Sequence, residues 1–193
     1  MDMFFNHAKE KGPLKNMTPV NTLDAIIEFN EICEYVFTVT RCSGFGKKGR
    51  SYFKKGIAEV LRCYGLKFLP TRISEKALKS EKYNEILEKV ADINFYRNWY
   101  NNKKIYYPIY LEHIVPIGSL IDRCQRCNSI EEIKNILSEL EFIIILREED
   151  EKLNRNGYKI KGRSTINEAE MVYKEKNIIL KKIVNESSKA NDI

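Results

Sequence analysis

Glycine and proline are scarce, nine and five among 193 residues. That excludes a collagen-like or proline-rich low-complexity chain. Long apolar runs are missing as well. The longest, Phe142–Leu146, falls far short of the roughly 18 residues a membrane span needs. Residues 1–15 hold no apolar stretch of signal-peptide length, so neither secretion nor a membrane is expected, and the expected location is the cytoplasm. Histidine occurs only at positions 7 and 113. What is present reads as an ordinary globular protein: 43 % hydrophobic and 31 % charged residues. The length suits one domain, or one with a small appendage, able to bury a core without disulfides.

The five cysteines are Cys33, Cys42, Cys63, Cys124 and Cys127. Without an export signal they are expected to be reduced thiols. Cys124 and Cys127 form one C-x-x-C. A structural Zn²⁺ site uses four ligands, usually from two such pairs. The second pair is missing, so two thiols on one helix face is the preferred reading and zinc the lesser one. Lys plus Arg outnumber Asp plus Glu by 33 to 27, a net charge of +6. A basic excess favours polyanions, because each neutralised phosphate releases counterions. An indifferent basic surface would have the same charge.

The pattern along the chain divides near residue 104. Residues 1–17 read as a polar arm. Thr22 is a good N-cap for a helix carrying Leu23, Ile26 and Ile27. Residues 34–40 fit either a helix end or a strand. A glycine-rich basic loop at 43–50 leads to a helix over 52–64, with Gly65 as its C′ residue. A connector at 66–73 precedes one or two amphipathic helices over 74–99, whose stripe includes Leu78, Tyr83 and Ile86. Beyond the polar stretch 101–104 the signal changes. Residues 105–115 are β-branched and aromatic, and Pro108 suggests an edge strand. A short helix is expected over 117–127. Ser129 caps a helix over 130–140 with Glu131 and Glu132 in its first turn. Phe142–Leu146 reads as a buried strand. A charged helix over 147–154, stopped near Gly157, and a last helix over 167–184 complete the α+β reading.

His113 ends the strongest strand signal, directly after Glu112. Neighbouring strand residues point to opposite faces. Glu112 and His113 serve one site only if the strand ends or bends there, and Pro116 and Gly118 supply a break. A half-buried histidine beside an exposed glutamate is the plainer reading. The second strand is followed at once by an acidic run, Glu148 to Glu151. Such carboxylates suit either a solvated first helical turn or a hard cation such as Mg²⁺.

The string Glu112-His113-Ile114-Val115-Pro116 resembles the first motif of the HNH, or ββα-metal (His-Me finger), nucleases. It is especially similar to the Asp-His-Ile-Val-Pro of the HNH lobe in RNA-guided DNA-cleaving effectors. The resemblance covers roughly residues 105–159 and implies a C-terminal ββα-metal motif behind a mostly helical region, 1–104, for DNA contact or dimerisation. It implies that Glu112 binds Mg²⁺ or Mn²⁺ and that His113 is the general base. It implies a second ligand on the following helix, about five residues after the end of the second strand's apolar run, which counted from Ile145 is Asp150. There the sequence departs from the family, which has His or Asn, so Glu149 and Asn154 are the alternatives. The linker between the strands is longer than in minimal versions and must hold an inserted helix. Arg147, Lys152, Arg155 and Lys159 lie near that helix and can hold flanking phosphates, or simply be solvated.

Gly44 to Ser51 nearly fits a P-loop, with Arg50 where lysine belongs. Arginine does not replace that lysine, and no succession of strand–helix units follows. A loop whose Lys47, Lys48 and Arg50 touch DNA phosphates is the better reading. Together these features imply a Mg²⁺-dependent endonuclease acting on double-stranded DNA. A restriction-type enzyme is the first expectation by family analogy, with a homodimer as one form of it. A phage or toxin-type nuclease and a non-enzymatic DNA-binding protein are the alternatives.

Overall fold

The computed structural model describes residues 19–42, 47–65, 70–86, 99, 106–158 and 162–183. Among them are eight helices and one four-stranded sheet. Two long helices come first, α1 (Pro19–Arg41) and α2 (Lys47–Gly65). They are followed by β1 (Arg72–Ser74), α3 (Glu75–Leu78) and α4 (Glu81–Ile86). The second half supplies β2 (Ile109–His113), α5 (Ile117–Cys124) and α6 (Ile130–Leu137). It ends with β3 (Phe142–Leu146), α7 (Arg147–Arg155), α8 (Ile166–Glu175) and β4 (Leu180–Lys182).

The protein is thus α+β, as its sequence suggests, and several boundaries match their chemistry. The Ser129 side chain accepts from the Glu132 backbone N–H at the start of α6. Pro108 immediately precedes β2, which is an edge strand, where a missing N–H costs nothing. Gly157, with φ +75°, follows α7 and takes the left-handed conformation that ends it.

Other boundaries need correction. α1 begins at Pro19, before Thr22; of the two readings of 34–40 the helix end holds, since the helix runs to Arg41 and tertiary packing overrides the β-propensity of that stretch. Residues 47–50 form the first turn of α2 and are not loop. Gly65 still belongs to that helix, where a Cβ would stand 2.8 Å from the Phe142 ring. The expected connector contains β1. Leu78 is exposed, whereas Tyr83 and Ile86 are buried. The last helix stops at Glu175. Asn177 adopts φ 56°, and the chain returns as β4. Residues 1–18, 43–46, 66–69, 87–98, 100–105, 159–161 and 184–193, and with them the arm, the loop glycines, the 101–104 boundary and Lys159, lie outside the described residues. The side chains of Lys47, Lys48 and Arg50 do so too.

The sheet order is β2-β3-β1-β4. β2 pairs antiparallel with β3, β3 parallel with β1, and β1 antiparallel with β4. Both faces are covered. On one, Ile143 and Ile145 join Leu153 of α7 and Ala169, Val172 and Tyr173 of α8. That core continues into Phe29, Ile57, Leu120 and Leu137 of the helical layer. On the other, Phe142 and Ile144 join Ile73, Ala77, Tyr83, Ile109 and Leu111. Burial on both faces explains why β3 is continuously apolar rather than alternating. The stretches before and after residue 104 therefore share one sheet and one core. No helix among the described residues is long and apolar enough to cross a membrane.

Ile144 lies in β3 with no exposed surface. Ile144→Ala should destabilise the protein by about 2–5 kcal/mol, from lost transfer energy plus the residual cavity. Urea unfolding followed by circular dichroism measures this, and an unchanged midpoint would place that strand outside the core.

Candidate functional site

The residues singled out around Glu112 and His113 do lie on consecutive elements: an antiparallel hairpin, β2 and β3, and the helix α7 that follows without a linker. The linker between the two strands holds α5 and α6. The alternation of the strand decides what its side chains can share. β2 stays paired through its last residue, with Glu112 opposite Ile143 and His113 opposite Phe142. Ile143 and Phe142 belong to cores on opposite faces. Glu112 therefore points to the α7–α8 side. His113 points to the other side, its ring centroid 4.1 Å from that of Phe142. The Pro116 break comes too late to bring them to one face.

Glu112 is 7 % exposed and ion-paired with Arg163. The guanidinium of Arg163 has no exposed surface. It donates to Glu112 Oε1 at 2.9 Å, to the Tyr173 hydroxyl at 2.7 Å, to the Tyr158 carbonyl at 2.8 Å and to the His113 carbonyl at 3.4 Å. A buried charge needs such a set of partners to offset its desolvation. Burial pushes the Tyr173 hydroxyl above its ordinary range, opposed by the adjacent Arg163.

The acidic run divides by helical position. Glu149 is buried and structural: its Oε2 accepts from the Leu146 backbone N–H at 2.9 Å and from the Ser74 hydroxyl at 2.6 Å. It caps α7 and ties that helix to β1. Glu148 and Glu151 pair with Lys76 and Arg147 at the surface. Asp150 is 1 % exposed. It accepts from Asn154 Nδ2 at 3.0 Å, one turn along, and has Arg147 at 3.8 Å. The Oδ1 of Asn154 is buried without a hydrogen-bond partner. Lys152 donates to the Lys176 carbonyl at 2.6 Å, and Arg155 lies 3.5 Å from Glu151. Among the described residues, no group of three or more His, Cys, Asp and Glu is arranged to hold a metal.

Sequence reasoning singled out neither Arg163 nor Tyr173. An arginine in a loop rich in Gly, Lys and Ser gives no local signal of burial. What could have pointed to it is the cost of burying Glu112 beneath α7 and α8 without a cation.

The cysteines divide by burial. Cys42 and Cys63 are exposed, while Cys33, Cys124 and Cys127 are buried. Burial, more than neighbouring charges, pushes the Cys33 and Cys124 thiols up to about 12.

The chain matches no protein-family model, no curated protein and no solved structure.

Two outcomes follow from this packing. Arg163→Met should cost about 3–5 kcal/mol in urea unfolding, because it leaves Glu112 buried and uncompensated. Adding Glu112→Leu should recover much of that loss, and a double variant as unstable as the single would refute the pairing. With a chromogenic disulfide reagent at neutral pH, the two exposed thiols should react fast and the other three only on unfolding. Fast reaction of Cys124 in the native protein would contradict its burial.

Proposed function

We propose that this protein is a divalent-metal-dependent endonuclease that hydrolyses phosphodiester bonds in double-stranded DNA. The observation that carries the reading is the antiparallel hairpin passing directly into a helix folded back on it. Glu112-His113 closes the first strand, and on the helix Asp150 lies buried with half-buried Asn154 one turn along. That order of elements is the one the HNH resemblance implies, and it adds topology to a five-residue string.

The donor set suits a hard cation in part. Asp150 supplies a carboxylate and Asn154 a buried amide oxygen that lacks a partner. These are the oxygen donors Mg²⁺ or Mn²⁺ accepts when water and substrate phosphate complete the shell. Glu112 is committed to Arg163 and Glu149 to the α7 cap, so Asp150 and Asn154 are the residues that would hold the ion. Bound there, it would offset charge developing on the phosphoryl oxygens. His113 is the general base that the resemblance implies, and its ring stands on the face of β2 turned away from α7. Arg147 and Arg155, on the same helix, would steady flanking phosphates. A restriction-type role, as a dimer on a two-fold target, is the form of this activity that family analogy favours.

A second reading is favoured by a specific observation. Glu112 and His113 stand on opposite faces of β2, and Glu112 is locked by a buried guanidinium. A protein that binds DNA without cutting it accommodates both facts and the basic charge. Plasmid relaxation with Mg²⁺ or Mn²⁺ separates the two. The nuclease reading expects wild-type cutting that falls at least 100-fold in His113→Ala, as loss of a general base does, and in Asp150→Asn, with the fold checked by circular dichroism. Cutting that survives His113→Ala would remove the base from that residue. DNA binding without cutting by any divalent ion would establish the second reading.

A further inference from the structure

β1 and β3 are adjacent and parallel, with Arg72 beside Ile143 and Ile73 beside Ile144. Each runs straight into a helix at its carboxyl end, β1 into α3 and β3 into α7. The two helices leave in opposite directions. Ala77 of α3 packs into the core on one face, while Leu153 of α7 packs into the core on the other. Parallel strands whose connections part in this way leave a crevice outside their carboxyl ends, the place where open sheets bind ligands. Such a crevice exists here, about 330 Å³ in volume, between α7, the start of α3 and the turn from α8 to β4.

Its lining is basic. Lys76, Lys152, Arg155 and Lys176 converge on it from three separate parts of the chain, against Glu148 and Glu149. Glu149 is turned inward onto the Leu146 N–H and the Ser74 hydroxyl. Beside the crevice Glu151 lies 3.5 Å from Arg155 and Glu175 2.8 Å from Lys176, and Glu148 pairs with Lys76 at 2.9 Å, both of those last two side chains 63 % exposed. An ion pair so open to water holds weakly, and an entering anion can replace it. The turn itself is fixed, because the Glu75 N–H donates to the Ile179 carbonyl at 2.8 Å and Lys152 donates to that of Lys176.

We infer that this crevice is a phosphate-binding site, in which Lys76, Lys152, Arg155 and Lys176 receive phosphoryl oxygens from a nucleic-acid backbone or from a free nucleotide. Lys76 and Lys176 extend the basic surface of α7 across the carboxyl edge of the sheet. In its nucleic-acid form the site rests on the DNA-binding half of the proposed function and not on cleavage.

The test uses the full chain and two probes, a short fluorescent DNA duplex and a fluorescent nucleoside triphosphate, titrated by anisotropy across a salt series. Lys76→Gln/Arg155→Gln removes two exposed cations, so the fold should persist. Arg126→Gln/Lys82→Gln removes two cations elsewhere as a control. The site expects duplex affinity to fall about tenfold, with the slope of log K against log salt reduced by about two, while the control changes neither. Loss of triphosphate binding alone would support the site and name the small ligand as its source. Wild-type-like binding of both probes by the crevice variant, or no binding of either by the wild type, overturns it. Plasmid cutting is scored on the same preparations. A protein that cuts, yet binds duplex equally without Lys76 and Arg155, refutes the crevice and spares the nuclease reading. One that binds through the crevice and never cuts does the reverse.

Discussion

A guanidinium with no access to water organises this half of the molecule. Arg163 lies in the segment between α7 and α8, and its donors reach the carboxylate of β2, the carbonyl after α7 and the hydroxyl of α8. An arginine stays charged at any pH a protein survives, so its burial is tolerable only while those acceptors hold their places. The constraint is mutual. Glu112 needs the cation as much as the cation needs Glu112, and neither α8 nor the end of β2 can shift without exposing the other's charge to a dielectric that cannot solvate it. This is why the carboxylate next to His113 is engaged in the fold.

The sequence made the second half of the fold the more legible. β3, α6 and α7 announce themselves through a five-residue apolar run, a serine cap and a charged first turn, all of which are local signals. β1 and β4 were hidden for the opposite reason. Each is three residues long, too short for an alternation to be read, and each exists because a partner strand elsewhere supplies its hydrogen bonds. The turn at Asn177 carries a signal, since asparagine tolerates the left-handed region. It was outweighed by helical spacing on both sides. The end of α1 shows the same competition: β-branched and aromatic residues at 34–40 stay helical because Val36 and Cys33 bury themselves in the helical layer.

The order of the elements around Glu112 and His113 was legible, their arrangement less so: a strand, a second strand and a helix follow as expected. Direction is what a string of letters does not carry. Whether Glu112 and His113 share a face depends on how far strand pairing persists, and here it persists to the last residue before Ile114. Within the acidic run the helical period does the sorting: Glu149 turns inward to cap, Asp150 is buried against Asn154, and Glu148 and Glu151 meet solvent and cations. Asn154, raised only as an alternative ligand, is the member whose amide oxygen lacks a partner.

The basic crevice follows from the same economy of connections. Because β1 lies beside β3 and both point the same way, the chain must leave the sheet twice at one edge. It covers both faces only by sending α3 to one side and α7 to the other. The gap between the departing helices is therefore a consequence of covering the sheet, whatever the protein binds. Its charge is not a consequence of covering. Lys152 fastens the α8–β4 turn through the Lys176 carbonyl, whereas Lys76 and Arg155 are exposed. Three independent stretches of sequence place positive charge at one opening that topology already provides, and their partners Glu148, Glu151 and Glu175 are held in surface ion pairs that an anionic ligand can replace.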